Sequence, residues 1–161
     1  MQTSDPGSLR VGHNLTTRDF LISPRDLADH VESSFLVDVV GCCEERLSTG
    51  ANSGSQSVSR HPWGRVCPTP VAVGRAVAAL LSSSDLRDAH IVSHSVNRVR
   101  ELGPALVGEP LTATAAVRYR SHRGGAVVVT LDVTVRRPAG ATRLNFELAV
   151  ELESLEIDDA A

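Results

Sequence analysis

The run His94-Ser-Val-Asn-Arg-Val-Arg-Glu-Leu-Gly-Pro-Ala-Leu-Val-Gly-Glu109 separates two unlike halves of this 161-residue chain. On its N-terminal side, Thr69-Pro70 opens Val71-Ala-Val-Gly-Arg-Ala-Val-Ala-Ala-Leu-Leu81, an apolar run that only Arg75 interrupts. Proline in the first turn suits a helix start. A helix apolar on nearly every face has to be wrapped on most sides. It is also well short of the roughly 20 residues that span a bilayer.

On the C-terminal side the hydrophobic period drops to that of a strand. Leu111, Ala113, Ala115, Val117 and Tyr119 share one face, with Thr112, Thr114, Arg118 and Arg120 opposite. Val127, Val129, Leu131, Val133 and Val135 then alternate with Thr130, Asp132, Thr134 and Arg136. Leu144, Phe146, Leu148, Val150 and Leu152 do the same against Asn145, Glu147, Glu151 and Glu153. Ser121-His-Arg-Gly-Gly125 and Pro138-Ala-Gly-Ala141 supply the turns. Such alternation predicts an antiparallel meander with one buried face. Curling that sheet around the apolar helix satisfies both elements, so the expected class is α+β.

The stretch from His90 to Arg100 differs. Strict alternation puts His90, Val92, His94, Val96 and Arg98 on one face, and Ile91, Ser93, Ser95, Asn97 and Val99 on the other. Polar groups on both faces suit a strand beside a ligand cleft or a subunit contact, since a buried imidazole or guanidinium needs a partner. An exposed edge strand is the plainer alternative.

Towards the N-terminus, residues 1–9 read as a tail, as do 157–161, which leaves one domain over 10–156. Asn14 to Ile22 suits a short strand. Ser23-Pro-Arg-Asp26 has serine, proline and an acid at the positions that begin a helix. That helix is expected to reach about Glu32, with Leu27, Ala28 and Val31 turned inward. Phe35 to Leu47 fits a strand or a helical turn. Thr49 to Arg60 is rich in Gly, Ser and Asn and reads as a loop, either a surface insert or a functional one.

Apolar residues make up 42% of the chain and aromatics 3%, so the core must be aliphatic. A net charge of −3 without a basic stripe argues against nucleic-acid binding. No apolar run suits a membrane span or a secretory leader, so a cytoplasmic protein without membrane contact is expected. All 16 cationic residues are arginine, which excludes lysine-based Schiff-base and P-loop chemistry. Cys42, Cys43 and Cys67 form neither a disulfide framework nor a zinc pattern. No cofactor and no metal are expected.

Several segments resemble the MaoC-like hydratases and dehydratases, over about Val11 to Leu152. They are Val11-Gly12, Ile22-Ser-Pro-Arg-Asp-Leu27, Trp63-Gly-Arg-Val-Cys-Pro68 and, most specifically, Asn97-Arg-Val-Arg100 with Gly103-Pro-Ala-Leu-Val-Gly108. The resemblance implies a hotdog fold, in which the curled sheet is the bun and the central helix the sausage. It implies a homodimer or a hotdog heterodimer joined sheet edge to sheet edge, with acyl-CoA or acyl-carrier-protein thioesters bound near the interface. The helix N-terminus, with backbone N–H groups from Gly64 to Cys67, would polarise the thioester carbonyl. Hydratases of this family carry Asp and His in a "GDxNPxH" stretch before the central helix. Here Gly50-Ala-Asn-Ser-Gly-Ser-Gln56 puts Ala51 and Gln56 in those places, and neither is a base.

The candidate catalytic groups are therefore substitutes. His61 lies three residues before Gly64, Asp38 sits alone among apolar neighbours, and His94 stands on the mixed strand. Candidate substrate contacts are Trp63, Gly64, Cys67 and Thr69 at the helix entry, with Asn97 and Arg98 on the strand. Each has a plainer reading as a solvated, capping or packing residue. Three functions fit this set. The first is a lyase of secondary or fatty-acid metabolism, with dehydratase, isomerase or cyclase chemistry on an acyl thioester or polyketide-type intermediate. The others are a non-catalytic partner subunit and a thioesterase, which would need a carboxylate near the helix entry.

Overall fold

The computed structural model describes residues 9–33, 66–123, 125–138 and 140–153. The expectations for Phe35 to Leu47 and for the Thr49–Arg60 loop lie outside the described residues. Strands β1 (Asn14–Thr16) and β2 (Phe20–Leu21) come first, then helix α1 (Pro24–Ser33) and helix α2 (Thr69–Leu81). Strands β3 (Ile91–Glu101), β4 (Pro110–Arg123), β5 (Ala126–Arg136) and β6 (Thr142–Glu153) follow. The single strand expected over Asn14–Ile22 is two short ones.

All pairings are antiparallel, in the order β1-β4-β5-β6-β3, with β2 also on β4. The β4-β5-β6 meander is the one that the alternation predicted. Its inner faces are buried throughout: Leu111 to Val117, Val127 to Val135 and Leu144 to Leu152 at every second residue. They pack with Val71, Ala72, Ala76, Val77 and Leu80 of α2 in a single core. Leu9 is also buried in that core, so packing begins one residue inside the expected tail.

α1 starts as its sequence dictates. The Asp26 N–H donates to Ser23 Oγ at 3.2 Å, and the Ser23 N–H and Oγ–H donate back to Asp26 Oδ2 at 2.6 and 2.7 Å. Burial alone would raise the Asp26 pKa, but these bonds with Arg75 and Arg25 together hold it below the usual carboxylate range. Leu27 packs against the core, whereas Ala28 is exposed rather than turned inward. Arg75, the polar break in α2, reaches Asp26 (Nε–Oδ1, 3.4 Å) and ties the two helices together.

Two of the sheet's register shifts reverse faces that alternation predicts for singled-out residues. In β4 an extra residue between Val117 and Tyr119 shifts the register by one. Tyr119 therefore leaves the inner face and is 59% exposed, while Arg120 now lies opposite the buried Val129. A one-residue slip moves every following side chain to the other face. The second bulge, in β3, lies beside the candidate site.

Leu148 is fully buried at the centre of β6, facing Leu131 across the sheet. Leu148→Ala is expected to cost about 2–5 kcal/mol. Urea unfolding should show it as a lower midpoint with an unchanged slope.

Candidate functional site

A cleft of about 620 Å³ opens between α2 and β3. The helix contributes Thr69, Pro70, Val73, Gly74, Val77, Ala78 and Leu81, and the strand contributes His94, Val96 and Val99. Only Thr69 and His94 are polar. The size and the mostly apolar wall are those of a small-molecule site. Among the described residues, one face of α2 is left uncovered, and the cleft lies there. Pro70, Gly74 and Ala78 form an exposed stripe opposite the buried one. Among the described residues β3 pairs with β6 alone, which leaves its outer edge open.

The β3 bulge decides which strand residues reach the cleft. Asn97 pairs with Glu147 and Arg100 with Asn145, so one extra residue is accommodated between them. Arg98 takes it up at φ 54°, a left-handed conformation uncommon for a side-chain-bearing residue. Its guanidinium turns to Glu147 (Nη1–Oε2, 3.6 Å), which alternates with the buried Phe146 and Leu148 and so lies on the outer face. Val99 takes the cleft position that strict alternation assigns to Arg98. Asn97, level with Glu147, also lies on the outer face. A further register shift between Ile91 and Ser93 leaves Val92 exposed.

At the helix entry, the Thr69 hydroxyl donates to Glu101 Oε2 at 2.5 Å, joining the start of α2 to the end of β3. The N-cap residue is Pro68, with no side-chain cap. Pro70 has no N–H, and the Val71 and Ala72 N–H groups both donate to the Pro68 carbonyl. Among the described residues this leaves the Thr69 N–H as the free donor of the first turn. The Cys67 N–H, expected to serve an oxyanion, instead donates to the Ala105 carbonyl at 2.8 Å. The Cys67 side chain is buried, and burial pushes its thiol up to about 11, only partly offset by the Ala72 N–H. A protonated, enclosed thiol is a packing group rather than a nucleophile.

The corner that follows β3 is pinned by a buried carboxylate. Glu109 is 1% exposed and sits between Arg137 and Arg143, the latter at 3.1 Å. Its Oε2 accepts from the Leu106 N–H at 3.1 Å. Leu106 bridges to Val66, and Ala105 holds Cys67, so this cluster fixes the chain as it enters α2. A Cβ at Gly103 would come within 3.1 Å of Arg143 Nη1, so a side chain there would crowd the guanidinium that holds Glu109.

Thr69 and His94 thus share one cleft, with Cys67 buried just before it. Asn97 and Arg98 lie outside it. Asp38, His61, Trp63 and Gly64 are outside the described residues. Glu101 and Glu109 were missed by sequence reasoning. Glu109 closes the family-like corner, and that position was the available signal. Nothing in the local pattern marks Glu101, whose partner is 32 residues away. Among the described residues no three metal-ligating side chains gather, and no helix is long and apolar enough to cross a membrane.

Glu109→Gln should cost about 3–5 kcal/mol, because it leaves two largely buried guanidiniums without their counter-charge. Chemical denaturation measures this directly. Cys67 should resist iodoacetamide at neutral pH in the folded protein and react on unfolding, read by peptide mass spectrometry. Because its pKa rises from 9.0 to about 11 on folding, its contribution is complete below 9.0 and is lost as pH climbs through about 11.

No protein-family model and no curated protein matches the sequence. Solved structures do match. The R-hydratase PhaJ1 of Pseudomonas aeruginosa is 14% identical with a TM-score of 0.60, covering 94% of this chain and 87% of its own. A MaoC-like dehydratase of Rhodospirillum rubrum is 10% identical with a TM-score of 0.58, covering 93% and 97%. A conserved Mycobacterium tuberculosis protein with a double hotdog fold is 18% identical with a TM-score of 0.64, covering 98% of this chain and 47% of its own. With the curled meander around α2, these likenesses establish that the chain adopts the hotdog fold of the MaoC-like dehydratases.

Proposed function

We propose that this chain binds acyl thioesters in the α2–β3 cleft and acts on them with dehydratase, isomerase or cyclase chemistry. The observation that carries this reading is the cleft itself: an apolar trough with a helix N-terminus, a hydroxyl and a carboxylate at one end and an imidazole further along. An acyl chain fits the apolar wall, and the Thr69 N–H suits the carbonyl oxygen, the Thr69 hydroxyl proton being taken by Glu101. Histidine is the side chain most often used for general acid–base work.

The spacing of these groups points to a dimer. His94 and Glu101 are seven residues apart along β3, roughly 20 Å at about 3.3 Å per residue. One chain therefore does not bring the imidazole to its own helix entry. A second copy added antiparallel at the open β3 edge, centred near Val96, would bring His94 of the partner subunit towards Thr69 and Glu101. Pairing would also cover the unpaired edge. A homodimer of this kind, or a heterodimer with a related hotdog chain, completes the site.

Glu101 favours a second reading. It supplies at the helix entry the carboxylate that a thioesterase needs to direct water, whereas the stretch Thr49 to Arg60 contains neither Asp nor Glu. Release of free thiol from an acyl-CoA panel distinguishes hydrolysis from hydration of crotonyl-CoA.

Light scattering should give a mass twice 17.1 kDa. His94→Ala should lower kcat by about 10²-fold or more. Mixing His94→Ala with Glu101→Gln protein should restore part of the activity, because one site of each mixed dimer is then intact. A monomer, or unchanged turnover in His94→Ala, contradicts the composite site. Turnover seen only after a second hotdog chain is added supports the non-catalytic partner reading that Ala51 and Gln56 motivate.

A further inference from the structure

We infer that Gly74 sets the length of acyl chain the cleft accepts, an inference that rests on the acyl-binding reading above. Gly74 is the sixth of the 13 residues of α2, in the helix interior. Glycine there is less stable than alanine, because it has more backbone freedom to lose on folding. Such a residue calls for a reason, and the two usual ones are missing. Its φ is not in the left-handed region, unlike that of Gly108 at +79°. Among the described residues no atom lies within 4 Å of where its Cβ would stand, in contrast to Gly103 beside Arg143. Neither backbone conformation nor packing among the described residues requires it.

What the missing side chain does is leave room in the cleft. Gly74 lies on the exposed stripe with Pro70 and Ala78, one helical turn either way, and the wall beside it is Val73 and Val77. The occupant of that space has to be apolar and to end in a group that the helix entry can hold. An acyl chain with its thioester at Thr69 meets both conditions. Gly74 is five residues from Thr69, about 7.5 Å along the axis at 1.5 Å per residue. A short acyl group ends before it, and a long one passes over it.

The test is Gly74→Ala, with butyryl-CoA and decanoyl-CoA binding followed by calorimetry and stability by thermal unfolding. Because Gly74→Ala adds a methyl in open space on a regular helix, Tm should rise by about 2 °C. Decanoyl-CoA should bind about tenfold more weakly or worse, as one methyl in an apolar pocket can produce. Butyryl-CoA affinity should stay within about twofold by the same reasoning. Gly74→Val should extend the loss to chains of intermediate length. A more stable variant that keeps decanoyl-CoA affinity overturns the inference and leaves the acyl-binding reading standing. A destabilised variant, or one that loses its dimer, shows that protein rather than ligand fills the space, and also overturns it. Wild-type protein that binds neither thioester removes the acyl-binding reading, and this inference with it.

Discussion

Burial of the apolar surface of α2 is the constraint from which the rest of this structure follows. Val71, Ala72, Ala76, Val77 and Leu80 would face water in an isolated helix, and a helix of 13 residues is marginal without tertiary packing. The inner faces of β4, β5 and β6 supply that cover, and their own apolar residues need the helix equally. At about 25 cal/mol per Å² of apolar surface, this mutual burial is the main favourable term in folding. The described residues cover the helix from one side, and the cleft lies along the other. The Pro70-Gly74-Ala78 stripe and the open edge of β3 face each other across a space that no described residue fills.

A second constraint places the chemistry. The corner after β3 carries Glu109 into the interior, where Arg137 and Arg143 neutralise it and the Leu106 N–H bonds it. Through Leu106 and Ala105 the cluster grips Val66 and Cys67 just before α2 begins. A buried charge with two cations and a backbone donor tolerates little displacement, because breaking it leaves an uncompensated ion. The start of the helix is thereby held against the end of β3, where Thr69 meets Glu101. The proposed site draws its polar end from this junction and its apolar length from the incompletely wrapped helix.

Much of the fold could be read from the chain because period-2 and helical patterns are local consequences of burial on one face. The meander, α2 and the capped start of α1 all follow from residues within a turn or a strand of one another. The misplacements cluster at the bulges. Tyr119 and Arg98 were assigned faces by strict alternation, and one extra residue in each strand reversed them. Nothing within β3 announces the bulge, which shows only in its pairing with β6. Glu101 was missed for a related reason: its partner Thr69 is distant in sequence, and an exposed glutamate at a strand end is unremarkable by itself.

The sequence by itself determined the hydrophobic pattern, and with it the strands of the meander and the central helix, while its resemblance to the MaoC-like proteins pointed to the hotdog class. Tertiary structure alone decided which polar groups meet. Register shifts placed Val99 rather than Arg98 in the cleft, and the buried Glu109 cluster brought Thr69 to Glu101. The open helix face became visible only once the sheet was seen to cover one side. Patterning reports how much surface a segment must bury, whereas a site depends on where separate segments come to rest against each other.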